Sequence, residues 1–319
     1  MPEPGPESVR VFAPASVSNV GPGFDVLGFA LHRPGDTVEA ARVEQPGVTL
    51  IAVDGEDGRL PVQPQRNSAS VAALAVLRRA GVGAAAPGLS ISLHKGMPLS
   101  SGLGSSGASA AAGAVAANHL LGRPLSPVDL VACAMEGERA ACGSAHADNV
   151  APSVLGGFVL VRSYDPLDLV RLPVPDGIFV AVVHPHCRVS TKEARARLAA
   201  CTFALPSIVA NCGNLGALVS ALYQGDTALL GRSVDDRLVE PVRAGMIPGF
   251  AAVKAAARDA GALACSISGS GPSMFAFADT ADGAAGVARE MRAAFRTAAG
   301  LTSDAWVGPI SREGARVVA

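Results

Sequence analysis

From Gly96 to Gly122 the chain runs for 27 residues without a Lys, Arg, Asp or Glu, a feature that strongly restricts the fold. An uncharged stretch of this length either crosses a bilayer, which takes about 20 apolar residues, or is enclosed by a protein interior. Its content decides between the two. Pro98, recurrent glycine and serine, and few large apolar side chains describe a tight loop feeding a helix of small residues, so no membrane is expected. The tightest part is Gly102 to Ser109, GLGSSGAS, whose first six residues spell G-x-G-x-x-G.

That spelling resembles three nucleotide-binding devices and satisfies none of them. A dinucleotide fold needs a second parallel strand ending in an acid about 20 residues past the glycines; Asp129 has the distance but lies in SPVDLVA, at a helix start. A Walker loop needs Lys and then Ser or Thr after its last glycine, and Ala108 and Ser109 stand there. A protein-kinase glycine loop needs H-R-D and D-F-G downstream, strings that this sequence lacks. The physics of a phosphate cradle survives. Gly102 and Gly104 let backbone N–H groups turn toward a ligand, Ser105 and Ser106 add hydroxyls, and the following helix offers its positive end to anionic oxygens. A serine-capped helix packed closely on its neighbours would read the same way, so the loop alone leaves both accounts open.

A chain of 319 residues is long enough for two domains. Charged residues make up 17% and the net charge is -1, so no basic excess points to nucleic acid and small-molecule partners are expected. Six cysteines, at 133, 142, 187, 201, 212 and 265, include no C-x-x-C pair; neither a zinc site nor a disulfide framework is indicated, and a cytoplasmic location fits. The opening MPEPGPESVR has no signal-peptide pattern and reads as a short ragged tail.

Along the chain, Val9 to Phe12 reads as a strand and Ala13 to Phe24 as a turn-rich loop. Strands are expected at Thr37 to Val43, Val48 to Val53, Leu89 to His94, Gly157 to Arg162, Phe179 to Val183, Cys265 to Ser268 and Met274 to Ala278. Helices are expected over Ser68 to Arg79 behind an Asn67 cap, Ser105 to Leu120, Pro127 to about Ala141 behind a Ser126 cap, Thr191 to Leu198, Pro206 to Gln224 and Ala281 to Ala299. A short helix or turn follows HADN (His146 to Asn149). Pro166 to Asp176 is the expected domain boundary, dividing 1–170 from 171–319. Strands and helices mix without a βαβ rhythm, which favours an α+β fold.

Three motifs carry a resemblance. PLSSGLGSSGAS (Pro98 to Ser109), APASVSNVGPGFDVLGFAL (Ala13 to Leu31) and SISGSGPSMFAF (Ser266 to Phe277) are similar, in that order, to the signature segments of the GHMP small-molecule kinases. EGERAACGSAHADNVAPSVLGGF (Glu136 to Phe158), STKEARARL (Ser190 to Leu198) and DDRLVEPVR (Asp235 to Arg243) narrow the resemblance to the homoserine kinase branch, over nearly the whole chain. It implies the two-domain GHMP kinase fold, with a ribosomal protein S5-like N-terminal and a ferredoxin-like C-terminal domain. It implies phosphoryl transfer from ATP to the side-chain hydroxyl of L-homoserine, and is compatible with a homodimer. Gly107 stands where the family commonly has alanine, and Cys142 where it commonly has serine; neither change removes a proposed ligand.

Site residues follow from the resemblance. ATP is expected on Pro98, Leu99, Ser100, Ser101, Gly102, Leu103, Gly104, Ser105 and Ser106, with Gly269 and Gly271 supporting the phosphates from the second domain; Asn67 and Lys95 are vaguer candidates, Lys95 as a charge that could neutralise phosphate. Ser106 and Glu138 resemble the oxygen ligands of Mg2+, a hard cation suited to bound phosphates. Arg195 and Arg243 resemble a carboxylate-binding pair, whose planar guanidinium groups bind bidentately. Asn19, Asp25, His146 and Asp148 resemble the other residues around homoserine. Without the motifs, each arginine would read as solvated surface, Glu138 as an exposed helix carboxylate and Asp148 as a helix cap. Asn149 stands near the position where mevalonate kinase and galactokinase relatives carry an aspartate base. An amide cannot take a proton, so either Asp148 accepts it or the hydroxyl loses it to phosphate late in a loose transition state; the resemblance favours the second.

Overall fold

The structure, a computed structural model, describes residues 6–55 and 60–318; residues 1–5 of the expected tail lie outside the described residues. The first part of the chain forms β1 (Ser8–Ser18), β2 (Leu27–Pro46), β3 (Val48–Asp54), α1 (Ser68–Arg79), β4 (Pro87–His94), α2 (Ser105–Leu120), α3 (Pro127–Cys142), α4 (Ala147–Leu155), β5 (Phe158–Tyr164) and β6 (Leu167–Leu172). The second forms β7 (Phe179–Pro185), α5 (Thr191–Ala199), α6 (Leu205–Gln224), α7 (Thr227–Ser233), α8 (Glu240–Arg243), α9 (Phe250–Asp259), β8 (Ala264–Ile267), β9 (Met274–Ala278), α10 (Ala281–Ala299), β10 (Ser303–Pro309) and β11 (Arg316–Val317). The strands of the first part, joined by β11, make one sheet in the order β11-β1-β2-β4-β3, with β5 on β2 and β6 on β5. Strands β10-β7-β9-β8 make a second. All described pairings but β3 with β4 are antiparallel, which bears out the α+β reading.

Local chemistry sets the helices. The Asn67 side-chain oxygen accepts from the backbone N–H of Ala69 at 3.1 Å and Ser70 at 3.2 Å, and Ser126 forms a capping box with Asp129 ahead of Pro127. These partners satisfy donors that a helix start would otherwise strand. The uncharged run becomes α2, an interior helix whose buried alanines let α1, α3 and α4 pack closely around it.

The second sheet is buried on both sides. Val180, Val182, Phe275 and Phe277 face the first sheet's core, while Ala181, Val183, Met274 and Ala276 pack with α9 and α10. Such strands read as continuous apolar runs. Phe29 and Phe158 of the first sheet meet Phe275 and Phe277 of the second, with ring centroids 5.1 to 6.3 Å apart. One aromatic cluster thus joins the two halves.

Three local expectations are corrected. β1 begins at Ser8 and runs to Ser18, because the small side chains from Ala13 to Ser18 all fit a buried, paired strand; the loop spans only 19–26. The segment expected as the domain boundary holds β6, which pairs with β5. β2 also starts well before Thr37 and passes through Pro34 and Gly35, residue types that strands usually avoid.

Candidate active site

The motifs converge on a cleft of about 590 Å³ between the two halves. Of the expected site residues, Pro98, Leu103 and Gly271 are not on its walls; the other expected residues are. Gly102 (φ +77°) and Gly104 (φ +65°) adopt the left-handed conformation. A Cβ on Gly102 would lie 2.5 Å from the Ser268 carbonyl oxygen, and one on Gly104 would lie 2.3 Å from Ser16 Oγ. Neither neighbour leaves room for a side chain.

The glycine loop is bolted to both halves. Ser16 N donates to Leu103 O at 3.1 Å, Gly269 N to Ser18 O at 3.0 Å and Ser273 N to Ser101 O at 3.3 Å. Ser268 Oγ donates to Gly102 O at 2.7 Å. Leu103 and Gly271 therefore act behind the wall, as supports. The start of α2 opens on the cleft, and the hydroxyls of Ser101 and Ser105 are buried without a hydrogen-bond partner among the described residues. Buried polar groups normally find partners, so orphaned hydroxyls beside a positive helix end are suited to an anionic ligand.

Lys95 corrects its expected role. Its ammonium pairs with buried Asp36 and donates to Ser105 O and Ser109 Oγ, each at 2.9 Å. An ammonium has three N–H bonds, and these are taken beneath the loop. Lys95 holds the first turn of α2 instead of presenting charge to phosphate.

At the other end of the cleft, charges gather from distant parts of the chain. Asn19 and Asp25 both sit at positive φ, and Asn19 Oδ1 accepts from Asp25 N at 2.8 Å. Asp25 grips Arg195 bidentately at 2.7 and 3.0 Å. Arg243 is buried and donates to Gly269 O at 2.9 Å. Burial, and then the charge of Arg195, pull it down to about 10. The ring of Phe24 lies 5.6 Å from the guanidinium of Arg195 and 5.0 Å from that of Arg243, so one π-face steadies both cations. Asp236 accepts the N–H groups of Leu238, Val239 and Glu240 at 2.8 to 2.9 Å, which fixes the entry to α8 and the placement of Arg243.

Asp148, in the first turn of α4, is 1% exposed, and neither carboxylate oxygen has a partner among the described residues. Burial, and then the charge of Asp25, push it up to about 7. His146 N donates to Glu138 Oε2 at 2.9 Å, and its ring Nδ1 lies 3.5 Å from Oε1. Burial disfavours the imidazolium, but the Glu138 carboxylate outweighs it and the pKa of His146 rises. Asn149 Oδ1 accepts a 3.4 Å hydrogen bond from Ser16 Oγ. Phe24, Asp36 and Asp236 were not singled out from sequence. Phe24 and Asp236 lay within recognised motifs, Phe24 next to Asp25 and Asp236 two to four residues ahead of the N–H groups it accepts; Asp36 shows its partner only in three dimensions.

The family models for the GHMP kinases N terminal domain and the GHMP kinases C terminal match residues 67–157 and 218–297. A homoserine kinase of Chlorobium phaeovibrioides is 51% identical over 320 residues, covering 98% of this chain and 100% of that protein. The chain belongs to the homoserine kinase family of the GHMP kinases. A crystal structure of a homoserine kinase from Cytophaga hutchinsonii superposes with a TM-score of 0.93 at 50% identity, covering 98% of each chain. Mevalonate kinase of L. major, at 17% identity, covers 97% of this chain and 99% of that one with a TM-score of 0.74 and shares the fold. Family membership indicates ATP as a substrate.

The residues present suit Mg2+. Mg2+ is usually held by one or two carboxylates and substrate phosphates, with few protein ligands. The cleft matches that economy: Ser106 and the buried Glu138 line it, and no group of three or more His, Cys, Asp or Glu forms a cage among the described residues.

Proposed function

We propose that the chain transfers the γ-phosphoryl group of ATP to the side-chain hydroxyl of L-homoserine, giving O-phospho-L-homoserine for threonine biosynthesis. One observation carries this reading: a neutral cradle of glycines and orphaned hydroxyls faces, within one cleft, a cluster built for an amino-acid zwitterion. Arg195 and Arg243 hold the carboxylate, Asp25 takes the ammonium, and Asn19 and His146 shape the space between. Asp148 faces the reacting hydroxyl and, held near 7, accepts its proton as the phosphorus–oxygen bond forms. A general base works best when its pKa lies near the operating pH. Asn149 ties α4 to β1 through Ser16.

The phosphate chain rests on the backbone N–H groups of residues 102–106, with Gly269 closing over it from the second half. Ser106 and Glu138 would hold Mg2+, which when bound neutralises phosphate charge. Phosphoryl transfer depends mainly on alignment and charge stabilisation, and this cleft supplies both. In the same reading the domains divide near 170, with β6 kept whole in the first and β11 returning to its sheet, and the enzyme works in the cytoplasm on small molecules without nucleic acid or membrane. A coupled ADP-release assay with homoserine, mevalonate and galactose tests the assignment. Turnover with homoserine alone is expected; turnover with mevalonate in its place would overturn the substrate, and none with any acceptor would overturn the activity.

A further inference from the structure

Five Lys and Arg residues line the cleft: Arg66, Lys95, Lys192, Arg195 and Arg243. Three are already engaged. Lys95 is held beneath the loop by Asp36, Arg195 is gripped by Asp25, and Arg243 donates to Gly269 O. Arg66 and Lys192 are exposed and have no hydrogen bond or ion pair from their side chains among the described residues. The phosphate cradle from 98 to 106 contributes no cation of its own.

Lys192 sits where local electrostatics oppose it. It occupies the first turn of α5, behind the Ser190 cap, where a cation meets the positive end of the helix dipole. Arg195 follows at i+3, so a second positive charge neighbours it on the helix surface. Glu193 gives no relief, because adjacent residues do not face each other and its carboxylate pairs with Arg197 at 2.8 Å. Proteins tolerate such violations of local preference mainly at functional sites. An anion is the missing partner.

The residue before Lys192 indicates which anion. Thr191 Oγ1 lies 3.0 Å from Ser270 Oγ. Ser270 follows Gly269, which sits so near the glycine loop that a Cβ on it would be 2.9 Å from Gly102 O. The start of α5 thus abuts the phosphate end, while Arg195, one turn on, faces Asp25 at the other end. Lys192 stands at the junction that a group passing between the two ends must cross.

We infer that Lys192 is a further catalytic residue, whose ammonium donates to the non-bridging oxygens of the phosphoryl group being transferred. The inference rests on the phosphoryl-transfer reading above. No proton leaves the ammonium and no covalent bond to it forms; it offsets the charge that transfer spreads over those oxygens. Arg66 closes a short turn in the first half, Pro64–Arg66, and no hydrogen bond among the described residues ties that turn to the loop at 269–271.

Calorimetric titration of the full chain with Mg2+ compares the non-hydrolysable β,γ-imido analogue of ATP with ADP. It needs no acceptor, so its outcome does not depend on homoserine being the substrate. Lys192→Met should weaken the triphosphate analogue about tenfold, the loss of one charge-assisted contact, and leave ADP little changed. Lys192→Arg should restore most of the lost affinity. In the homoserine assay Lys192→Met should lower kcat with the homoserine KM little changed. Its melting temperature should be no lower than the parent's, because the cation opposed the helix dipole. Equal weakening of both nucleotides, or of neither, overturns the proposal. So does a lower melting temperature, which would make Lys192 structural. A triphosphate preference lost in Arg66→Met and kept in Lys192→Met also overturns it, moving the cation to the first half. Selective loss of the triphosphate in a chain that does not turn over homoserine would overturn the substrate and uphold Lys192.

Discussion

The two ends of the cleft solve opposite problems. The phosphate end is neutral, contiguous in sequence from 98 to 109, and made of backbone and hydroxyls; its requirement is that no side chain intrude. The end proposed for homoserine gathers Asp25, His146, Asp148, Arg195 and Arg243 from loops and from α4, α5 and α8; its requirement is that charges far apart in the chain meet at fixed distances. Damage at the first end should act through geometry, and at the second through electrostatics.

Gly102→Ala is the most direct way to break the neutral end. The added Cβ would meet the Ser268 carbonyl oxygen at 2.5 Å on a backbone at φ +77°, so both the conformation and the clash oppose it. We expect loss of measurable ADP release and a stability decrease of about 2–4 kcal/mol, read by thermal melting. A variant as stable and active as its parent would show that the two halves do not interlock at this point.

Asp148→Asn tests the charged end. As the proton acceptor, Asp148 should contribute about 10²- to 10⁴-fold to kcat; kcat retained with a raised KM would instead send the proton to phosphate. Stability should move the other way. The folded value of Asp148, about 7, lies above its ordinary 3.8. The stability this group contributes is therefore complete below the ordinary value and is lost as pH rises through about 7. At pH 8 the bare carboxylate opposes folding by up to about 4 kcal/mol, and asparagine removes that term. The variant's melting advantage should be wide near pH 8 and vanish near pH 4.

The arginines grade the same end more finely. Arg243→Ala should weaken homoserine by about 2–5 kcal/mol, seen as a rise in KM, because its buried guanidinium has no carboxylate within ion-pair distance among the described residues. Arg195→Ala should do less, since its fork is already engaged by Asp25. The reverse order would make Arg195 the principal carboxylate ligand.

The same contrast governs what could be read from the chain. The helix caps at Asn67 and Ser126, α2 and α10 were legible because each depends on neighbours within a turn. The glycine loop was legible as a cradle for the same reason, although only the companion motifs decided its ligand. Strand β2 and the boundary strand β6 were not, since Pro34, Gly35 and Pro166 signal breaks locally while pairing with β1 and β5 overrides them. At the charged end, resemblance named Asp25, Asp148 and both arginines, but no local pattern could show that Phe24 lies against both guanidinium groups. Nor could it show that Asp36 draws Lys95 beneath the loop, because those contacts close over dozens of residues.

The smallest expected effect separates packing from conformation within the glycine motif itself. Gly107, where relatives commonly carry alanine, has a negative φ on α2, and a Cβ there would sit 3.4 Å from Val150 Cγ2 and 3.7 Å from Asn149 Cβ, ordinary contact distances. Helix propensity and the entropy of the unfolded chain both favour alanine, so Gly107→Ala should stabilise the protein by up to about 1 kcal/mol and raise the melting temperature by about 2 °C, with kcat little changed. The same methyl five residues earlier, at Gly102, should abolish activity. If Gly107→Ala instead lowers kcat, Asn149 has been displaced by that contact, and the neutral end extends past the loop into α4.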